Sequence, residues 1–299
     1  EFQIEDWQKI GFEIPLLVNM QPSGKYLGED FYRAGGVPAV MNSLLAAGKL
    51  NETTITANGK TIALNYSNSP ILDKDVIRTC DDPILENAGF MILKGNICEA
   101  GVMKTSAISE NFRTQYLSKP GSKNVFEVRA IVFEGPEDYH ERINSPELNI
   151  DVDCVLVIRG CGPVGYPGSA EVVNMQPPDS LIRKGILELP TLGDGRQSGT
   201  SGSPSILNVS PESAIGGGLA LLQTDDMLRI DLNRCTIDVL IDERELQKRR
   251  DLLQLDETEN QTPWQEIYRN TVGQLSGGGI IELAEKYKKI RHVIPRHSH

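Results

Sequence analysis

Past about Asp82 the apolar positions fall in short runs broken by glycine-rich turns: GFMILKGNIC, VFEVRAIVFEG, CVLVIRG, ILELPTLGDG and MLRIDLNRCTIDVLI. Each run has the length and composition of a strand. In the last, Leu228, Ile230 and Leu232 alternate with polar residues and oppose Ile237, Val239 and Ile241 across Asn233-Arg234-Cys235, which predicts a hairpin buried on one face. Many short strands with glycine turns predict a barrel or a sandwich.

Before Asp82 the spacing differs. IPLLVNM predicts a short buried strand, and DFYRAGGVPAVMNSLLAAGKL carries helical spacing interrupted at Gly35-Gly36-Val37-Pro38, with Gly48 past its end. TTITANGKTIAL predicts a hairpin, because Asn58-Gly59 suits a type I′ turn. This opening reads as the tail of an α/β unit. Further on, DERELQKRRDLLQ predicts a helix with Leu246, Leu252 and Leu253 near helical spacing. DETENQTPW separates that body from a C-terminal tail, GGGIIELAEKYKKIRHVIPRHSH, which predicts a short helix and an extended end.

At 299 residues and 39% hydrophobic content the chain is long enough for one large or two medium globular domains. A net charge of -11 and a pI near 5.0 leave no basic stripe for a phosphate backbone, so nucleic acid is not an expected partner. No apolar run approaches the roughly 20 residues that span a bilayer, and EFQIEDWQKIGFEIP has no signal-peptide pattern, so no membrane is expected and the expected compartment is the cytoplasm. Cys80, Cys98, Cys154, Cys161 and Cys235 are odd in number and lack CxxC spacing, as reduced thiols do; for Cys154 and Cys161 a metal pair and a pair of buried core thiols both stay open.

Two stretches carry candidate chemistry. TLGDGRQSGTSGSPSIL holds four glycines and four serines. Lacking the lysine of a nucleotide P-loop, it is either a serine-capped turn or a pocket wrapped around a small polar ligand. VIRGCGPVGYPGSAEVVNM sets Arg159 at a strand end, then a Gly-Pro-rich loop, then a lone acid, Glu171. Such a carboxylate suits a hard cation equally with the first turn of a helix.

Taken in order, PSGKYLGEDFYRAGGVPAVM, ILKGNICEAGVMK, VIRGCGPVGYPGSAEVVNM, GDGRQSGTSGS, VSPESAIGGGLALLQTDDMLRIDL and the terminal PRHSH resemble the dihydroxy-acid and phosphogluconate dehydratase family. PGSAEVVNM and DGRQSGTSGS are similar to its sugar-acid branch, the arabonate and xylonate dehydratases, where branched-chain members usually show PGMPEM and DGRFSG. The resemblance implies an α/β fold with the remnant of an N-terminal α/β domain over residues 1–82, a β-barrel-like swivelling β/β/α domain over 83–260, and a C-terminal helix and tail over 261–299. It implies removal of water from a sugar acid (aldonate) to give its 2-keto-3-deoxy acid, with Mg²⁺ and a [2Fe-2S] cluster as cofactors and a homodimer or dimer of dimers as the assembly. By motif position Glu171 matches an acid that helps hold Mg²⁺ and Ser198 matches the base that removes the C2 proton. A nearby divalent cation favours a serine alkoxide as it favours hydroxide from bound water. Thr200, Ser201, His297 and His299 are the candidate substrate contacts.

The family's cluster cysteines and most of its magnesium ligands lie in N-terminal segments with no match here. The chain is therefore expected to be the C-terminal part of a longer enzyme, inactive when isolated. The competing expectations are a non-catalytic sugar-acid-binding or dimerisation module, a dihydroxy-acid dehydratase of branched-chain amino-acid synthesis, and, last, a cluster-free Mg-dependent enzyme.

Overall fold

The computed structural model describes residues 2–21, 24–168, 171, 175–196, 205–255 and 259–287. They form two compact units. One is built from the described residues up to 92 together with 103–123, the other from 93–102 and most of the chain from 124 onward.

In the first unit, α1 (Ile4–Gly11) is followed by α2 (Gly28–Arg33), α3 (Gly36–Ala46) and α4 (Ile62–Tyr66). Trp7 of α1 meets Phe90 edge to face at 5.1 Å. A small core of Ala34, Ala39, Val76 and Ile77 is covered by Tyr26, Phe31, Val40 and Ile71. Gly35 divides α2 from α3 with φ +117, and a Cβ there would come 2.7 Å from the Pro70 carbonyl, so the interruption seen in the sequence is a tight corner.

Two expectations fail in this unit. IPLLVNM forms isolated antiparallel bridges, Leu16 with Leu85 and Val18 with Ile77, instead of a strand. The Asn58-Gly59 turn closes through Thr56 N–H to the Lys60 carbonyl at 2.9 Å and an Ile55–Thr61 bridge, but only Gly59 takes positive φ, so it is not type I′. Its second flank turns helical because the Thr61 hydroxyl caps the Leu64 amide at 3.2 Å.

Eight strands close a barrel in the order β1-β2-β6-β5-β4-β3-β7-β8. They are β1 (Phe90–Gly95), β2 (Cys98–Lys104), β3 (Val125–Phe133), β4 (Cys154–Ile158), β5 (Thr191–Gly193), β6 (Ser205–Ser210), β7 (Met227–Asp231) and β8 (Thr236–Val239). Between β2 and β3, α5 (Glu110–Phe112) runs into a π-helical turn, and Phe112 stacks on Tyr116 at 4.3 Å. The expected hairpin is β7 and β8, with Leu228 opposite Val239 and Ile230 opposite Ile237. β2 past Cys98 and β6 lie outside the apolar runs that predict strands.

β3, β4 and β5 run parallel to one another. Parallel neighbours need crossover connections, supplied by α6 (Pro136–Arg142) after β3 and α7 (Asp179–Ile182) after β4. All five β4 residues are buried, which explains the unbroken apolar run CVLVI. Leu156 and Ile158 pack with Phe133, Tyr139, Ile143 and Leu181, while the period of two turns Val155 and Val157 to the opposite face. Of the leucines expected on α8 (Glu243–Leu252) and just past it, Leu246 is buried but Leu252 is 69% exposed, so the helix rests on a narrow face. Arg249 fastens it through the barely exposed Asp226 at 2.6 Å. α9 (Pro263–Arg269) follows, started by the Thr262 cap.

No helix among the described residues is long and apolar enough to cross a membrane. Leu156→Ala should lower the unfolding free energy by about 2–5 kcal/mol, measured by denaturant titration; a loss below about 1 kcal/mol would show that β4 is not held between the barrel and its helices.

Candidate active site

The pairing of β4 with β5 ends in register, Ile158 opposite Gly193. A Cβ on Gly193 would lie 2.8 Å from the Ile158 side chain and 3.0 Å from its carbonyl, so glycine lets the two strand ends close together. Parallel strands send their following loops off the same end. The loop after β4 carries GCGPVGYPGSAE and the loop after β5 carries DGRQSG. The two candidate motifs thus start side by side although they are separated in sequence by a helix.

A buried acid joins them. Asp194, 0% exposed, follows β5 and accepts hydrogen bonds from the Cys161 amide at 2.9 Å, the Gly160 amide at 3.2 Å and the Ser213 amide at 2.9 Å. The Ser213 hydroxyl donates to Asp194 Oδ2 at 2.6 Å and accepts from the Gly160 amide at 2.7 Å. Four donors compensate a carboxyl group that would otherwise be costly to bury.

A second buried acid holds the loop farther along. Glu212, also 0% exposed, accepts from the Val164 amide at 3.0 Å and the Gly165 amide at 2.9 Å, and from Gln274 Nε2 at 2.8 Å. Any Cβ at Gly162 would fall 2.4 Å from Glu212 Oε2. Here glycine is required by the close approach of an acid, not by its backbone angles.

Glu171 emerges from this loop. It is exposed and forms a parallel bridge with Arg196, two residues before Ser198 in sequence. Its extended pairing overturns the first-turn-of-helix alternative. Ser198, Thr200, Ser201, His297 and His299 lie outside the described residues. Arg159, at the end of β4 as expected, is engaged structurally: it forks onto Glu134 and donates to the carbonyls of Leu219, Ala220 and Leu222 at 2.9–3.0 Å.

Asp194, Glu212, Ser213 and Gln274 were not among the residues nominated from the sequence. The usable signal was weak: Asp194 is an acid inside a glycine turn, and Glu212 follows Ser210-Pro211.

Cation and cluster sites follow from the donors present. Hard cations take carboxylate oxygens, and exposed Glu171 offers one such group. Among the described residues no three His, Cys, Asp or Glu side chains gather around a common point. All five cysteines are free, and Cys98, Cys154 and Cys161 are buried. Burial pushes the Cys98 and Cys161 thiols up to about 12, with added repulsion from Asp238 at Cys98 and from Asp194 at Cys161; burial also raises Cys154, to about 11. Cys154 and Cys161 pack as core thiols in one apolar cluster. The described cysteines do not fit an iron-sulfur cluster.

An acid-tethered glycine loop thus follows β4 of a closed barrel, beside the end of β5. Residues 75–279 match the dihydroxy-acid/6-phosphogluconate dehydratase C-terminal domain, and residues 1–65 match the N-terminal domain of the same family. The chain belongs to the dihydroxy-acid/6-phosphogluconate dehydratase family. It is 55% identical over 299 residues to D-xylonate dehydratase of Caulobacter vibrioides, covering 100% of this chain and 50% of that protein. It is 38% identical over 283 residues to L-arabonate dehydratase of Azospirillum brasilense, covering 94% of this chain and 45% of that protein. Dihydroxy-acid dehydratase of Prochlorococcus marinus is 37% identical over 257 residues, covering 84% and 43%. The chain spans about half the length of these curated relatives.

Two outcomes test this geometry. Asp194→Asn replaces an acceptor oxygen by a donor facing other donors and should cost about 1–3 kcal/mol, read as a lower denaturation midpoint; no change would sink the tethering role. The raised thiols set the second. Below pH 9 both folded and unfolded thiols hold their protons, whereas between pH 9 and about 12 the unfolded chain releases them first, so stability should fall as pH rises through that window. Denaturant midpoints at pH 8 and pH 10 check it, and a flat profile would contradict buried thiols.

Proposed function

We propose that this chain supplies the C-terminal half of the active site of an aldonate dehydratase, which removes water from a five-carbon sugar acid to give its 2-keto-3-deoxy acid. The observation that carries the reading is the Glu171–Arg196 bridge, which sets the candidate cation ligand beside the segment leading to the candidate base. The identity of 55% with a xylonate dehydratase, against 37% with a dihydroxy-acid dehydratase, favours a sugar acid over a branched-chain precursor.

In this reading Ser198, as its alkoxide, takes the C2 proton of the 2,3-dihydroxy acid, and the C3 hydroxyl takes one proton from a donor outside the described residues and leaves as water. The resulting enol tautomerises to the 2-keto acid, so atoms and charge balance without an oxidant. Glu171 holds Mg²⁺, which when bound polarises the substrate carboxylate and makes the C2 proton more acidic. Thr200, Ser201, His297 and His299 bind substrate oxygens. The family's [2Fe-2S] cluster finds no ligand set among the described residues, and departure of the C3 hydroxyl is left to groups outside them. Residues 1–82 belong to the end of the N-terminal domain, 83–260 to the barrel domain and 261–299 to its tail, and the complete enzyme works as a homo-oligomer.

Ser198→Ala in the full-length enzyme should lower kcat by about 10²–10⁴-fold while KM for the sugar acid stays within about threefold. Retained kcat would remove Ser198 as the base. Wild-type kcat/KM on D-xylonate, L-arabonate and a branched 2,3-dihydroxy acid decides the substrate class, and preference for the branched acid would overturn the sugar-acid reading.

A further inference from the structure

Gln274 follows α9 in sequence and reaches Glu212 twice. Its Oε1 accepts from the Glu212 amide at 2.8 Å, and its Nε2 donates to Glu212 Oε1 at 2.8 Å. One carboxamide thus grips both the backbone and the side chain of a fully buried acid. From the same stretch, Arg269 Nε donates to the Val164 carbonyl at 2.8 Å. Val164 is held at its N–H by Glu212 and at its carbonyl by Arg269. Both holds trace back to the segment after Thr262.

Glutamine is the side chain this contact needs. It offers an acceptor and a donor on one planar group. Glutamate keeps the acceptor but turns a carboxylate oxygen toward Glu212 Oε1, and methionine offers neither bond.

We propose that Gln274 is a positioning residue, which acts through Glu212 to hold the Gly160–Gly168 loop in the conformation that presents Glu171. Its effect on turnover rests on the reading of Glu171 given above; its effect on the loop does not.

The test uses the full-length enzyme as wild type, Gln274→Met and Gln274→Glu. Hydrogen exchange followed by mass spectrometry reads the amides of 160–168 against those of β4 as an internal reference. Both variants should exchange about tenfold faster at 160–168 at pH 8, with β4 unchanged. In Gln274→Glu the new acid and Glu212 share a contact that two carboxylates cannot keep, and uptake of one proton restores it. The ratio of variant to wild-type kcat should therefore rise about tenfold as pH falls from 8 to 6. The other ionisable groups around the cluster, Asp194, Cys161, Glu137, Arg269 and Glu282, which lies against Gly273, are common to both proteins, so the ratio isolates the new pair.

Unchanged exchange at 160–168 in the variants overturns the proposal. So does a variant-to-wild-type ratio that stays flat with pH while turnover is depressed. Faster exchange with turnover unaffected keeps the clamp and instead overturns the placement of Glu171 in the active site. Should Gln274→Met fail to fold, the near-isosteric Gln274→Glu decides by the same exchange measurement.

Discussion

Ile158 and Gly193 end two parallel strands in register, and the absence of a side chain at Gly193 lets those ends meet at backbone distance. Asp194, one residue past Gly193, ties the loop that follows Ile158 to that meeting. Because the strands are parallel, their outgoing loops share one end of the barrel. An antiparallel pair would have sent the loop after β4 and the Asp194–Arg196 segment after β5 to opposite ends. The barrel therefore contributes direction before it contributes any functional group.

Direction alone does not fix a loop of glycines and prolines. The fixing is done by two acids with no exposed surface. Asp194 and Glu212 collect the amides of Gly160, Cys161, Val164 and Gly165, which a loop would otherwise leave to solvent. A buried acid with its acceptors filled is tolerable, and one with an acceptor idle is not. That asymmetry makes the loop conformation narrow: any displacement strands a buried oxygen. The required glycine at 162 follows from the same packing, since Glu212 occupies the space a side chain would need.

The thiols belong to a different part of the design. Cys154 and Cys161 share one apolar cluster with Leu156, Tyr139 and Leu181, and their burial favours the neutral form. Their place in that cluster is that of core packing residues.

Local pattern determined a good deal. The alternation of Leu228 and Ile230 against Ile237 and Val239 gave the hairpin, because period-two burial is written within a few residues, while the register was set by a turn over residues 232–235, one residue longer than the Asn233-Arg234-Cys235 read from the sequence. The continuous run CVLVI predicted a strand, and the ordered motifs pointed to the family. Where local chemistry competed, prediction from pattern went astray: Thr61 caps a helix as readily as it ends a hairpin, and Leu252 keeps helical spacing while facing solvent. Only the tertiary structure decided that β4 and β5 are neighbours, that the loop is pinned by Asp194 and Glu212, and that Gln274 completes the clamp. Those contacts join residues 33, 48 and 62 positions apart, and a hydrogen bond across such a distance leaves no periodicity in the sequence, because its partners are brought together by the closure of the barrel.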